Sequence, residues 1–161
     1  ELDSHDTDIV ISDCKMPGIG AANLLSYIQK KAPQVKLIFL SGMESALLYQ
    51  QLTANNVNGL ISKGDEPEDI IAALNAVKEG KSYTSKKITS ILNNSPHQLT
   101  LKELQVFELV IQGLSNPDIA KKLHNSPNTI NTHRVSLMKK MNVNSVVDLV
   151  KIAHKNGLFD S

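Results

Sequence analysis

The sequence predicts two units, an α/β half built on a parallel sheet and then an all-helical half. Three observations carry this. Short apolar runs without polar alternation, "DIVIS" (8–12), "KLIFLS" (36–41) and "NGLIS" (58–62), alternate with helical patterns in the first half. Four Ser/Thr cap signals follow one another from residue 100 onward. Charge divides along the same line. Residues 1–95 hold nine Lys/Arg against eleven Asp/Glu, whereas residues 96–161 hold eight against five. The basic excess therefore lies where a polyanion would bind.

A continuous apolar run reads as a strand covered on both faces, as in a parallel sheet. Between the runs, "AANLLSYIQKKA" (21–32) and "ESALLYQQLTANN" (44–56) have helical spacing. A third helix is predicted over 66–80. Its first turn is acidic, which suits the positive end of the helix dipole, and Gly80 can stop it. Strand–helix alternation of this kind makes βαβ units, here a partial doubly wound parallel sheet of three strands. "KSYTSKKITSILNNSPHQ" (81–98) holds one short helical stretch before a polar Asn-Asn-Ser-Pro segment. It reads as a helical linker over 81–96 between domains at 1–80 and 97–161.

The second half predicts four helices. Thr100 and Glu103 form a capping box, with Leu99 and Leu104 as a hydrophobic staple, and Gly113 ends the first helix. Ser115 opens the second, with Pro117 in its first turn and Asp118 at the box position. Ser126 caps the third with Pro127 at its first position, and Ser145 with Asp148 opens the fourth.

The chain has 161 residues, 41% of them hydrophobic and 20% charged, which suits a soluble globular protein. Its apolar runs are too short to span a bilayer, and no signal peptide opens it. Its one cysteine, Cys14, excludes an intrachain disulfide and fits a reducing cytoplasm. With no histidine near it in sequence, Cys14 reads as a packing or loop thiol rather than a nucleophile. The first residue is Glu1 rather than methionine, so a fragment or processed product is expected.

At about 100° per residue, Ile130, Leu137 and Met141 share one face of the third helix and should pack inward. Asn128, Asn131, Thr132, Val135 and Lys139 share the other. That face is short, polar and ends in lysine. It is what base edges and then phosphates require, and equally what a solvated bundle face looks like. The N-termini at Ser115 and Ser126 offer backbone N–H groups to phosphate. Arg134 lies between the two faces and is placed either to touch phosphate or to pair with an acid such as Glu103. His133 has no second ligand at metal-binding spacing, and no metal site is expected.

The segment from Leu99 to Leu158 resembles the LuxR-type helix-turn-helix domain of bacterial transcription regulators throughout. It does so at Leu99-Thr100, Glu103, Gly113, Ser115-Asn116, Ile119-Ala120, Leu123 and Ser126. The match continues at Thr129-Ile130, His133, Leu137, Lys140-Met141, Val143, Leu149-Val150, Ala153 and Gly157-Leu158. The resemblance implies an all-α four-helix DNA-binding domain, with major-groove reading by 127–141 and dimerisation assisted by 145–155. Two positions depart from the family. Lys102 stands where arginine is usual, and Asn131 stands where lysine is usual after Thr-Val. Lysine suits guanine or phosphate, whereas asparagine suits adenine.

"SDCKMPG" (12–18) resembles the phosphoacceptor corner of a response-regulator receiver. Asp13 ends its strand and Met16-Pro17-Gly18 follows, while Ser41-Gly42 matches the switch hydroxyl and Lys63 the phosphate-pairing lysine. "EGKSYTS" (79–85) resembles the linker start of the NarL/FixJ-type subgroup. A carboxylate can act as nucleophile toward a phosphoryl donor, and the transferring charge then needs a lysine, a hydroxyl and a divalent cation. Leu60 replaces the family's usual aromatic. The family's magnesium-holding acidic pair comes from the end of the first strand, whereas this sequence reads as starting just before the third, and Asp3, Asp6 and Asp8 are expected before that strand at its opposite end. Magnesium is therefore expected only in an intact receiver, and a bare edge at Ile9–Ile11 predicts self-association.

The expected function is that of a DNA-binding regulator under phosphorelay control with an impaired receiver. It has no catalytic residues and works as a dimer or higher oligomer, with a sensor histidine kinase as partner if the receiver is intact. One alternative is a phosphorylation-independent regulator, or an interaction dimer whose receiver remnant serves only for oligomerisation. A haloacid-dehalogenase-like phosphatase would want a second aspartate where Lys15 stands.

Overall fold

The structure, a computed structural model, describes residues 8–15, 20–95 and 98–158. Asp3, Asp6, Met16-Pro17-Gly18 and the Pro96 end of the predicted linker lie outside the described residues. The chain divides into two compact units, the first running to Ser95 and the second ending at Asn156.

The first unit carries β1 (Ile9–Asp13), α1 (Ala21–Lys31), β2 (Lys36–Ser41), α2 (Ala46–Ala54), β3 (Gly59–Ser62), α3 (Pro67–Lys78), β4 (Tyr83–Thr84) and α4 (Lys86–Asn93). The sheet is parallel throughout, in the order β1-β2-β3-β4. It thus has four described strands where the sequence predicts three. The extra strand is two residues long, too short for a hydrophobic pattern. It forms because Tyr83 N–H donates to the Asn58 carbonyl and Ser85 N–H to that of Leu60, both at 2.9 Å. Tyr83 Oη then donates to Asp69 of α3 at 2.9 Å.

Side chains alternate across a strand. Leu37, Phe39 and Leu60 therefore join Leu25, Ile28, Leu48, Leu52 and Ile88 in one core layer. Ile38 and Ile61 face the other way, onto Ala73 and Val77 of α3. Both faces are covered, which is why the strands read as unbroken apolar runs. Glu68 and Asp69 occupy the first turn of α3, and Gly80 just past its end takes φ +77, a left-handed conformation that glycine adopts without steric cost.

The second unit carries α5 (Leu101–Ile111), α6 (Asn116–Lys122), α7 (Pro127–Lys140) and α8 (Val146–Lys155), each opened by the Ser or Thr predicted as its cap. Gly113, at φ +83, ends the stretch after α5. Ile130, Leu137 and Met141 are buried as their spacing requires, against a core that includes Val106, Phe107, Ile119 and Leu149. No helix among the described residues is long and apolar enough to cross a membrane.

One buried acid ties α5 to α7. Glu103 closes the capping box by accepting from Thr100 N–H at 2.8 Å. It also accepts from Ser136 Oγ at 2.6 Å and from Lys140 Nζ at 2.7 Å. Burial alone would raise its pKa. The bonds from Lys140, Ser136 and Thr100 outweigh burial and bring it down to about 2.

Two stability outcomes follow from this packing. A Cβ on Gly59 would sit 2.9 Å from Ile38 Cγ1 inside the core. Gly59→Ala should therefore lower stability by about 1–3 kcal/mol, read as a fall in denaturation midpoint, and an unchanged midpoint would contradict this packing. The Glu103 carboxyl titrates lower in the folded state than its ordinary value of 4.5. Its contribution is therefore complete above that pH and fades as pH falls toward 2. Glu103→Gln should cost about 2 kcal/mol at neutral pH and flatten the pH dependence of helical unfolding within that window. A mutant with the wild-type acid profile would refute the assignment.

Candidate functional site

At the carboxyl edge of the sheet, the register pairs Asp13 with Leu40 and Ser41 with Ser62, so the ends of β1, β2 and β3 lie side by side. Open parallel sheets place their sites on this edge. The Asp13 carboxylate forms an ion pair with Lys63 Nζ and accepts from Lys15 N–H at 2.9 Å. The hydrogen bond from Lys63, and then that from Lys15 N–H, hold its carboxyl below the usual carboxylate range. Asp13 is thus an ionised carboxylate at neutral pH, with a cation beside it and one third of its side chain open to solvent (33%). Lys15, which stands where a haloacid-dehalogenase-like phosphatase would want a second aspartate, contributes only its backbone N–H here.

Ser41 is fully buried. Its hydroxyl accepts from Tyr49 Oη at 3.0 Å and from Met43 N–H at 3.2 Å. Tyr49 Oη also makes a short hydrogen bond to the Met43 carbonyl. Cys14 is buried beside Ser41, and burial pushes its thiol up to about 12, which makes it a neutral packing group. Among the described residues no cluster of His, Cys, Asp or Glu would hold a metal ion. Asp13 stands as a single carboxylate with both oxygens already engaged, so the described residues do not form a magnesium site.

On the second unit, Asn128, Asn131, Thr132, Val135 and Lys139 are all exposed along one side of α7, while Thr129 is half-buried. Ser126 Oγ caps α7 by accepting from Thr129 N–H at 3.0 Å, and the first turn of α7 contains no acid. Ser115 caps α6, but Asp118 shares that end and bonds to the Ser115 hydroxyl. The carboxylate opposes phosphate there, so the α7 end is the better anion site of the two predicted.

Arg134 does not pair with Glu103, one of the two roles its position suggested. The Glu103 oxygens are taken by Thr100, Ser136 and Lys140. Arg134 Nη1 instead donates to Asn116 Oδ1 at 2.9 Å, which joins α6 to α7. His133 is half-buried in mid-helix.

Two features escape a reading of the sequence, the burial of Glu103 with its bonds to α7, beyond the capping box predicted for it, and the reach of Tyr49 to Ser41. Glu103 shares a helical face with Phe107 and Val110, and that spacing could have marked it as a buried acid in need of partners. Tyr49 sits within "LLYQQL" on the apolar side of α2, and nothing in that pattern says that its hydroxyl reaches Ser41.

Residues 97–153 match the model of bacterial regulatory proteins of the luxR family, and residues 1–75 that of the response regulator receiver domain. Among curated proteins, the chain is similar to Transcriptional regulatory protein UhpA of Escherichia coli (strain K12), at 32% identity over 93% of this chain and 76% of that protein. It is also similar to Response regulator UvrY of the same strain, at 28% identity over 94% and 74%. Oxygen regulatory protein NreC of Staphylococcus carnosus (strain TM300) is 30% identical over 97% and 79%. Among solved structures, a two-component response regulator RcsB–DNA complex superposes with a TM-score of 0.59 at 28% identity, covering 93% of this chain and 76% of that one. Both domain matches and the shared order of domains place the chain in one family: it belongs to the NarL/FixJ-type response regulators, the DNA-binding transcription regulators of two-component systems that join a receiver to a LuxR-type helix-turn-helix domain.

Proposed function

We propose that the chain binds duplex DNA as a homodimer through α7, and that phosphoryl transfer to Asp13 from a sensor histidine kinase governs that binding. The observation that carries the DNA reading is the exposed row Asn128, Asn131, Thr132, Val135 and Lys139, set on a helix whose opposite face is locked into the core. Short polar side chains reach base edges, and Lys139 lies toward the phosphates. Ser126 and Thr129 hold the N-terminus of α7 where its backbone N–H groups can meet a phosphate. Asn116 of α6, next to Ser115, braces the helix by accepting from Arg134 of α7. RcsB dimers on DNA, the arrangement named for one of the similar structures, support two half-sites and a two-fold assembly.

For the receiver, an Asp13 oxygen attacks the phosphorus of the donor. The bond from phosphorus to the donor's leaving group breaks, and an acyl phosphate forms. Lys63 is then placed to pair with the phosphoryl oxygens, and Ser41 supplies the hydroxyl at the next strand end. The divalent cation that this transfer needs is taken from solution rather than held as a resident cofactor, and the reading assigns the chain no enzymatic turnover. It places the chain in the cytoplasm, where DNA and kinase are both present.

Anisotropy of a labelled duplex should show affinity falling steeply as salt rises, and Lys139→Ala should reduce the slope of log affinity against log salt by about 1. Salt-independent binding would defeat the DNA reading. Intact mass spectrometry after incubation with magnesium and a small phosphodonor should show one phosphoryl adduct that is absent in Asp13→Ala. An adduct that survives the substitution, or none on the wild-type chain, would remove Asp13 from its role.

A further inference from the structure

The commonest specific contact to guanine is an arginine or lysine on the base-facing side of a helix, because guanine shows two acceptors, O6 and N7, in the major groove. The base-facing row of α7 has none through Val135. Asn128, Asn131, Thr132 and Val135 are exposed, and all four are uncharged. The next cation on that row, Lys139, lies eight residues beyond Asn131, about 12 Å along the axis, and so belongs with the backbone. Arg134 is half-buried and engaged with Asn116.

That engagement also orients an amide. A guanidinium can only donate, so the Asn116 oxygen must face Arg134. The Asn116 Nδ2 is thereby turned toward α7, where it lies 3.5 Å from Asn131 Oδ1. A donor there requires that Asn131 present its oxygen to Asn116, which sets which end of its amide is O and which is NH₂. One lone pair of Oδ1 and both protons of Nδ2 remain available to the groove. Those are the groups that meet adenine, with Oδ1 accepting from N6–H and Nδ2 donating to N7.

Two neighbours present carbon. Thr132 is exposed and its Oγ1 donates to the Asn128 carbonyl at 3.1 Å, so the hydroxyl proton is engaged on the helix itself and the methyl is the group left to a base. Val135, one turn beyond Asn131 on the same face, is 59% exposed, an isopropyl group standing in water on an otherwise polar row. The major-groove counterpart of an exposed methyl is the C5-methyl of thymine.

We infer that the reading face of α7 selects A·T pairs, with Asn131, pre-oriented by Arg134 through Asn116, taking adenine and Val135 meeting a thymine methyl. The inference rests on the DNA-binding reading and names the sequence class which that site accepts. Asn116 is a positioning residue in it.

Selection of duplexes from a random pool by the full chain should enrich a half-site with A·T pairs at adjacent steps. In that site, replacing the contacted thymine by deoxyuridine removes only the methyl. It should weaken wild-type binding about fourfold and leave Val135→Ala binding unchanged. Asn131→Ala should lose about tenfold discrimination against G·C at the adenine step. Asn116→Ala should broaden preference at that same step while keeping the salt slope. Enriched G·C pairs opposite α7, or equal binding of thymine and deoxyuridine duplexes by the wild type, would overturn the inference while DNA binding stands. Failure to bind any duplex would overturn the DNA reading, and this inference with it.

Discussion

The second unit depends on one buried carboxylate. Glu103 accepts hydrogen bonds from the start of its own helix and from two side chains of α7. An unpaired carboxylate at that depth would be costly, so Thr100, Ser136 and Lys140 are held in a single arrangement. The packing of Ile130 and Leu137 sets how deep α7 sits, while the bonds to Ser136 and Lys140 set its rotation about its own axis. Rotation decides which side chains face outward. A reading row of small side chains tolerates little error there, because short groups cannot reach across a misplaced turn.

The first unit uses charge in the opposite way. Lys63 and Asp13 are both substantially open to water, with 49% and 33% of their side chains exposed. A pair this exposed contributes little to stability. It is suited to exchange, because Lys63 can move from the carboxylate to an incoming anion without leaving a buried charge behind. Glu103 with Lys140 builds the fold, whereas Asp13 with Lys63 is available for chemistry. The difference lies in burial rather than in residue type.

Most of the fold was legible in the sequence because its signals are local. Apolar runs mark strands covered on both faces, and Ser or Thr followed by an acid or proline marks helix starts. All four caps of the second unit form where those residues stand. The exposed row on α7 followed from angular spacing alone. What could not be read is tertiary. The strand at Tyr83–Thr84 exists through bonds to Asn58, Leu60 and Asp69, distant in sequence. The partner of Arg134 depended on which acid or amide the packing brought near, and Glu103 was already occupied. The hydroxyl partner of Ser41 came from α2, across the core.

That last contact bears on how the two ends of the receiver edge communicate. Leu60 is a buried aliphatic residue with no polar atom on its side chain, so it cannot form a hydrogen bond to a moving hydroxyl. Tyr49 can, and it does so from a helix rather than from the neighbouring strand. The Ser41 hydroxyl has Tyr49 Oη and Met43 N–H as its partners. A turn of that hydroxyl toward Asp13 must break at least one of these bonds. Tyr49 is fully buried, yet its Oη keeps the Met43 carbonyl as a partner, so releasing Ser41 leaves no orphaned phenol. The cost of the turn is therefore modest. It falls on the segment from Met43 into α2.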